Sequence, residues 1–159
     1  MFARSTEEVD ALRANQVPYE IVPGVTAAFA GAASLGESLT ERGKIDSLVL
    51  TTGHLESGYV VPDVVKDLRP GTCVAVYMGV GGAKEIAVQL DASHVGIALD
   101  IQVVAKSQRK GQVVMECTLE TLEDMLMTHE IKGEAILFIR WSRDVQHDVL
   151  TDLKAYEVA

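Results

Sequence analysis

Few residues in this sequence have the type and spacing that catalysis by side chains requires. Its four histidines stand far apart, and none belongs to a Ser/His/Asp or Cys/His set at a recognisable spacing. His54, in the run TTGH, follows a predicted strand, which is where α/β proteins bind ligands. A polar residue that closes a turn is the favoured explanation of His54, so we assign no histidine a catalytic role.

The run MGVGGAK, from Met78 to Lys84, places glycines directly after a predicted strand. It lacks the GxGxxG spacing of dinucleotide-binding loops and the Gly-Lys-Ser/Thr ending of phosphate-binding loops. Exposed backbone amides beside the Met78 thioether suit an uncharged purine or a sulfonium better than a polyphosphate. The run therefore indicates, weakly, a site for a small molecule.

The segment Val17 to Ser34, VPYEIVPGVTAAFAGAAS, passes from a β-like run through a Pro-Gly turn into a helix of small residues. Two explanations stay open, namely close packing of that helix against a sheet, or space for a group that is not protein. Arg4 and Arg42 lie on either side of this segment in sequence. A lone arginine is usually a solvated surface residue, and Glu7, one turn after Arg4, can form a weak surface ion pair with it.

Composition limits the class of protein. A chain of 159 residues with 48% apolar and 23% charged residues suits one domain, and it has neither an apolar run of membrane-spanning length nor a secretory signal, so we expect a soluble, cytoplasmic protein. The net charge of −9 argues against nucleic acid as the main partner. Cys73 and Cys117 lie in apolar β-like runs outside any CxxC pair, so we predict reduced core cysteines and no metal site.

Caps and periodicity predict the secondary structure. A helix begins at Ser5, where Glu8 completes a capping box, YEIV at residues 19–22 forms a short strand, and the small-residue helix runs from Thr26 to near Gly36. Further strands are predicted in SLVLTTG, TCVAVYMG and EAILFIRW, an antiparallel hairpin in IALDIQVVAKS and GQVVMECT, and helices in VPDVVKDLRPG, GAKEIAVQLDA and LETLEDMLMTH. This alternation predicts an α/β fold with a mixed, mainly parallel sheet flanked by helices, as one domain, 1–144, followed by a tail, 145–159.

Five motifs follow one another along the chain: FARSTEE, VPYEIVPGVTAA, LTERG, TTGH and VYMG, which span residues 2 to 79. In this order they resemble the C-terminal half of the uroporphyrinogen-III C-methyltransferases of the tetrapyrrole methylase family, and the similarity extends to about residue 143. By this resemblance the space beside the small-residue helix holds S-adenosylmethionine.

The resemblance implies a fold and a reaction. Members have two α/β lobes with the cofactor in the cleft between them, work as homodimers, and methylate carbons of a tetrapyrrole on the way to sirohaem and cobalamin. Arg4 and Arg42 would then bind or polarise the carboxylated substrate, Glu7 would assist proton removal, and Thr26, Ala27 and Met78 would contact the cofactor. We expect strands YEIV, SLVLTTG and TCVAVYMG to end on one common edge.

The sequence also departs from the family pattern. The glycine-rich motifs of the N-terminal lobe are absent, Ser5 and Thr6 replace two glycines, Glu41 stands where the family has histidine, and Ser107 falls where a cofactor-contacting glycine is expected. The main hypothesis is a methyltransferase lobe that works with an N-terminal lobe. The alternative is a non-catalytic remnant that serves as an interaction module, and a sibling methylase acting on ribosomal RNA or a protein residue is disfavoured by the acidic balance.

Overall fold

The computed structural model describes residue 2 and the ranges 5–55, 58–93 and 99–143. The predicted tail at 145–159 and the predicted substrate residue Arg4 lie outside the described residues. Five strands form the central sheet: β1 (Ser47–Thr52), β4 (Thr72–Tyr77), β5 (Asp100–Ala105), β6 (Val113–Cys117) and β7 (Ala135–Trp141). Two very short strands, β2 (His54–Leu55) and β3 (Gly58–Tyr59), form a separate antiparallel ribbon.

Within the described residues, the strand order of the sheet is β1-β4-β7-β5-β6. β1 pairs parallel with β4, whereas β7 lies antiparallel between β4 and β5, and β5 and β6 form the predicted antiparallel hairpin. The mixed sheet flanked by helices is confirmed. Three of the five strands run in one direction, but three of the four pairings are antiparallel, because the last strand inserts at the centre of the sheet against its neighbours.

The helices are α1 (Ser5–Ala14), α2 (Ala27–Leu35), α3 (Asp63–Lys66), α4 (Ala83–Ser93) and α5 (Leu122–Thr128), with a 3₁₀ turn at Val80–Gly82. α2 is the predicted small-residue helix, and it ends as expected, since Gly36 adopts the left-handed conformation with φ of 71° and its N–H bonds back to the carbonyls of the last turn. No helix in the described ranges is both long and apolar enough to cross a bilayer.

The predicted strand YEIV is wrong in this structure. Residues 17–25 form no strand, and Ile21 and Val22 expose 72% and 76% of their surface. A strand needs a neighbour to pair its backbone groups, and no described strand pairs with this segment, so β propensity alone does not make it a strand. The other two strand ends meet as expected, since Thr52 and Tyr77 are opposite each other at the ends of β1 and β4.

Two hydrophobic clusters cover the two faces of the sheet. The strands divide their side chains by the alternation of β structure, so that Val74, Val76 and Ile139 face α3, α4 and α5, whereas Ala75 and Phe138 face α2. Cys73 and Cys117 are buried free thiols, as predicted.

Candidate functional site

A cavity of about 580 Å³ opens where the carboxyl ends of β1 and β4 meet the start of α2. Four other segments complete its walls: the β2–β3 ribbon, the 3₁₀ turn, the turn between β5 and β6, and the loop before β7. Such a volume is typical of sites for cofactors and substrates. A second cavity of about 440 Å³ adjoins it and shares the lining residues Val80, Gly81 and Lys132.

The start of α2 is fixed to the end of β4 by Tyr77. The backbone N–H of Ala28 donates to the Tyr77 hydroxyl at 3.0 Å, and the Tyr77 hydroxyl forms a short hydrogen bond with Thr26 Oγ1. Because the hydroxyl already accepts from Ala28, its proton is available for Thr26. Tyr77 thereby replaces the side-chain cap that Thr26 does not provide.

The wall that α2 contributes is shallow and apolar. Ala27 and Ala30 line the cavity, and Val25 stands beside them just before the helix. Alanine methyl groups occupy little of the space between helix and sheet, so the cavity exists where longer side chains would have filled it. Both explanations of the small-residue segment therefore apply, since Ala28 and Ala32 on the buried side of the helix pack against the sheet.

Met78 follows β4 at the rim, with 45% of its surface exposed and φ of 54°. Left-handed backbone at a residue other than glycine, asparagine or aspartate is uncommon, and it turns the chain sharply into Gly79. Gly53 approaches this turn so closely that a Cβ on it would lie 2.8 Å from Gly79 Cα. The glycine in the run TTGH therefore allows the two strand ends to meet at the cavity.

The β2–β3 ribbon forms a second wall, with His54 and Tyr59 lining the cavity. Their rings pack edge to face with centroids 5.0 Å apart. The Tyr59 ring rests on Gly81, where an added Cβ would lie 2.0 Å from Tyr59 Cζ. A larger residue at this position of the 3₁₀ turn would displace the Tyr59 ring from the cavity wall.

The opposite wall carries charge. Ser107, Arg109, Lys132 and Glu134 line the cavity, and the Arg109 guanidinium is 3.0 Å from a carboxylate oxygen of Glu134. The backbone N–H of Lys106 donates to the carbonyl of Glu134 at 2.9 Å, which joins the β5–β6 turn to the loop before β7. Lys132 forms no ion pair within the described ranges, so its ammonium is available at the boundary of the two cavities.

The structure brings together some of the residues predicted for the site and separates others. Ala27 and Met78 line the cavity, and Thr26 adjoins it through Tyr77. Glu7 lies exposed on α1 and is not a lining residue, although the Phe2 ring, just before that helix, packs 5.0 Å from the Tyr77 ring.

Arg42 lies in an exposed turn closed by the bridge between Glu41 and Ile45, and it does not line the cavity either. Glu41, the departure from the family's histidine, forms an ion pair of 2.6 Å with Lys44. The turn therefore presents a guanidinium to solvent while its acidic neighbour is paired within the turn.

Sequence reasoning missed Tyr77, Tyr59 and the cations Arg109 and Lys132. Tyr77 belongs to the motif VYMG, in which only Met78 was predicted to contact the cofactor, and nothing in the sequence shows that a β4 side chain caps α2. No sequence signal marks Arg109 or Lys132 as site residues, because their approach to the cavity depends on the pairing of β7 with β5.

The two cysteines are not candidates for nucleophiles. Burial raises the pKa of the Cys73 thiol, and the nearby Arg140 guanidinium opposes that rise only in part. Burial likewise raises the pKa of Cys117. Among the described residues, no group of three His, Cys, Asp or Glu side chains is arranged to hold a metal ion.

Comparison with known proteins gives one family. The family model for tetrapyrrole (corrin/porphyrin) methylases matches residues 1–123. Siroheme synthase of Nitrosomonas europaea is 32% identical over 139 residues, which cover 87% of this chain and 29% of that protein. The siroheme synthase of Methylobacillus flagellatus is 34% identical over 139 residues, which again cover 87% of this chain and 30% of that protein.

Solved structures agree. Uroporphyrin-III C-methyltransferase from Thermus thermophilus, in complex with S-adenosyl homocysteine, superposes with a TM-score of 0.71 at 29% identity, over 88% of this chain and 58% of that one. A cobalt precorrin-4 methyltransferase superposes with a TM-score of 0.75 over 86% of this chain and 57% of that one, at 24% identity, which supports the fold alone. The chain thus spans about 30% of the siroheme synthases that it matches and somewhat over half of these solved chains.

Proposed function

This chain belongs to the tetrapyrrole methylase family, and from that premise we propose that it forms one lobe of an S-adenosylmethionine-dependent methyltransferase that acts on uroporphyrinogen III. The observation that carries the proposal is the cavity at the joined ends of β1, β4 and α2, lined by Ala27 and Met78. Relatives named siroheme synthase and a solved uroporphyrin-III C-methyltransferase support this choice of reaction and substrate.

The cavity fits the proposed cofactor in size and chemistry. Its volume of about 580 Å³ lies within the usual range for ligands of this size. Ala27 and Ala30 leave a flat apolar surface for an uncharged ring, and the polarisable thioether of Met78 suits contact with a purine or a sulfonium. The cofactor, when bound, supplies an electrophilic methyl group for displacement by a substrate carbon.

Residues of this chain hold the cavity in shape. Tyr77 ties the first turn of α2, through Ala28 and Thr26, to the strand that leads into Met78. Displacement at a methyl group needs the carbon, methyl and sulfur atoms in line, and an error of about 1 Å can cost a hundredfold in rate. We assign Thr26 and Tyr77 to positioning, with Ala27 and Met78 in contact with the cofactor.

The substrate side of the site is built from cations and an acid. We propose that Arg4 and Arg42 bind carboxylates of the tetrapyrrole and that Glu7 assists removal of the proton from the methylated ring. The exposed guanidinium of Arg42 is available for a two-pronged contact with a carboxylate. Lys132 extends this set, because it lies where the two cavities join.

A second lobe is part of the proposal. The unpaired, strand-like segment and the first turns of α2 present an apolar surface, and its exposed members are Val17, Ile21, Val22, Val25 and Phe29. Apolar groups gathered in this way normally mark an interface. The relatives extend well beyond the length of this chain, so we propose that their additional lobe covers this surface and supplies the second wall of the cleft, and that the completed enzyme is a homodimer.

The decisive experiment supplies that lobe. The N-terminal lobe of the Thermus thermophilus enzyme is joined to this chain, and methylated products of uroporphyrinogen III are measured by mass spectrometry. We expect transfer of methyl groups from S-adenosylmethionine. Ligand binding without any transfer would favour the alternative, a non-catalytic remnant that acts as an interaction module.

The role of Arg42 is tested in the same fusion. Arg42→Lys should weaken substrate binding nearly as much as Arg42→Ala, because a compact ammonium does not replace a planar fork. Arg69→Lys, at another exposed arginine, is the matched control and should match the parent. Equal activity of Arg42→Lys and the parent would refute the carboxylate contact.

The chain by itself should bind S-adenosylmethionine weakly or not at all. One wall leaves much of the ligand in water, whereas sites of this kind bury at least about 70% of it, and association must also offset several kcal/mol of lost translational and rotational freedom. Titration calorimetry at millimolar cofactor measures the affinity. A dissociation constant below about 10 μM would show that the site is complete without a second lobe.

A further inference from the structure

The turn between β5 and β6 is held in an unusual conformation beside the cavity. Lys106 and Gln108 both have positive φ, 49° and 58°, which is uncommon for side chains of their size. Two sets of contacts hold the turn. One is the pair of links to Glu134 described above, and the other is a group of hydrogen bonds to Ser34 of α2.

Ser34 Oγ has four polar neighbours. It is 3.0 Å from the carbonyl oxygen of Ala30, 2.9 Å from Gln112 Oε1, 3.0 Å from Gln108 Nε2 and 2.8 Å from Ser107 Oγ. The orientation of the Gln112 amide is fixed, because its Oε1 accepts the backbone N–H of Gln108 at 2.7 Å. Two of the four neighbours are therefore oxygens that accept hydrogen bonds and have no proton to donate.

This arrangement determines the direction of the bond between the two serines. A hydroxyl has one proton and two lone pairs. The proton of Ser34 is required by the acceptors Ala30 and Gln112, since otherwise lone pairs would face each other at about 3 Å. Ser34 then accepts from Gln108 and from Ser107, so the Ser107 hydroxyl must donate its proton to Ser34.

Ser107 therefore presents only lone pairs to any other partner. It lines the cavity, and Ser34 is its hydrogen-bond partner among the described residues. We infer that Ser107 Oγ is a fixed hydrogen-bond acceptor that recognises the exocyclic amino group of an adenine ring in this cavity. Ser34 is the positioning residue, because it holds the Ser107 proton away from the ligand.

The surroundings favour a neutral amino group over an ammonium at this position. Lys106, Arg109 and Lys110 belong to the same turn, and the carboxylate of Glu134 is already paired with Arg109. An ammonium would meet these positive charges without a free carboxylate. The neighbouring lining residues Val104, Ala135 and Ile136 add an apolar surface that suits a flat, uncharged ring.

The inference rests on the proposed function, and a base exchange tests it separately. S-adenosylhomocysteine is compared with S-inosylhomocysteine, whose ring carries a carbonyl in place of the amino group. Both are titrated to millimolar concentration into the ¹⁵N-labelled chain, and amide shifts at the cavity give the two affinities. We expect the adenosyl compound to bind about three- to tenfold more tightly, the effect of one neutral hydrogen bond.

Two variants separate recognition from folding. Ser107→Ala should bring the affinity ratio of the two ligands close to one by weakening the adenosyl compound. Ser34→Ala should also lower the ratio, but by improving the inosyl compound, because the freed Ser107 proton can then turn to the carbonyl. Ser38→Ala, at an exposed serine just after α2, should leave the ratio unchanged.

The outcomes distinguish the two proposals. Equal binding of both ligands by the parent, or an unchanged ratio in Ser107→Ala, overturns the role of Ser107 and leaves the proposed function standing. If neither ligand shifts the cavity amides, even in the fusion that carries the N-terminal lobe, both proposals are overturned. A purely structural role for Ser34 predicts equal weakening of both ligands in Ser34→Ala, which would overturn its part in setting the proton direction.

Discussion

The two faces of the central sheet are packed in different ways. On one face α3, α4 and α5 cover the strands with large aliphatic side chains, including the fully or nearly fully buried Ile86, Leu90, Leu122 and Leu126. On the other face α2 is the covering helix, and the residues it buries are Ala28, Gly31 and Ala32. Large side chains fill the space on the first face, whereas small side chains on the second face let the backbone of α2 lie close to the sheet.

The second face is also where polar groups are buried. Gln102 and Arg140 are 6% and 8% exposed, and both contact the carboxylate of Glu37, just after α2. The same face opens into the cavity beside Ala27 and Ala30. Stability and ligand binding are therefore divided between the faces. Most of the apolar burial lies on the first face, and the buried polar groups and the cavity lie on the second.

The largest expected effect tests the aliphatic face. Leu90→Ala should lower the free energy of unfolding by about 2–5 kcal/mol, because it removes buried methyl groups and leaves a cavity. Urea unfolding followed by circular dichroism measures the loss. Val88→Ala, at a residue 63% exposed on the same helix, is the matched control and should stay within about 0.5 kcal/mol of the parent. A loss below about 1 kcal/mol in Leu90→Ala would remove the distinction between the faces.

The two partners of the buried ion pair on the α2 face, Arg140 and Glu37, should differ in how much stability is lost when each is replaced. Among the described residues, Nε and Nη2 of Arg140 are buried without a nitrogen or oxygen partner, and Glu37 forms a short ion pair with Nη1. Glu37→Gln leaves the buried guanidinium charge uncompensated and should cost about 3 kcal/mol. Arg140→Met removes that charge and should cost clearly less, since half-exposed Glu37 can still be hydrated. Equal losses in urea unfolding would contradict this account.

Filling the cavity should affect binding and spare stability. Ala27→Leu places a larger side chain in the cavity and should weaken binding of S-adenosylhomocysteine at least about tenfold in the NMR titration, which corresponds to about 1.4 kcal/mol. Unfolding should change by no more than about 0.5 kcal/mol, since Ala27 is exposed. Ala33→Leu, exposed on the same helix and outside the cavity, should bind as the parent does. Unchanged binding by Ala27→Leu would place the ligand elsewhere.

The smallest expected effect belongs to the surface ion pair between Asp46, just before β1, and Arg143, just after β7. Its contribution to stability is the reference against which the effects on the two faces are compared. The hydrogen bond from Arg143 lowers the pKa of Asp46 below 3.8. A lowered pKa in the folded state gives stability that is present above the unfolded value and is lost as the pH falls through the folded value. The difference in unfolding free energy between the parent and Asp46→Asn should thus be constant from pH 7 to about pH 5 and shrink below 3.8.

Salt provides the check on that prediction. Both side chains of the pair are substantially exposed, 59% for Asp46 and 45% for Arg143, so added salt should screen the attraction. A difference that grows on acidification, or one that salt does not reduce, would show that Asp46 acts through something other than this pair.

Much of the fold follows from local patterns. Ten of the eleven predicted elements occupy their expected places, because caps, turns and apolar periodicity act over a few neighbouring residues. Gly36 ends α2 where a left-handed residue was required, and the basic turn joins β5 and β6 as a hairpin. The alternation of strands and helices does not predict which strands are neighbours, because it does not say that the final strand, β7, inserts between β4 and β5.

The candidate site was only partly predictable. Ala27 and Met78 were found through their motifs, and the structure places both on the cavity. Tyr77, Ser34 and Lys132 were missed because each acts across a large sequence separation, and polar side chains at such positions have no periodicity that reveals their partners. The roles of Arg4, Glu7 and Arg42 stay predictions.

Motif order and short-range patterns were enough to identify the family and the local elements, because neither depends on contacts between distant parts of the chain. Tertiary structure decided what those elements enclose. The insertion of β7 between β4 and β5 carries Glu134 to the β5–β6 turn, and Tyr77 reaches across from β4 to cap α2. The segment YEIV shows the limit most clearly: its side chains favour a strand, but a strand's hydrogen bonds require a neighbour, which a local pattern cannot supply.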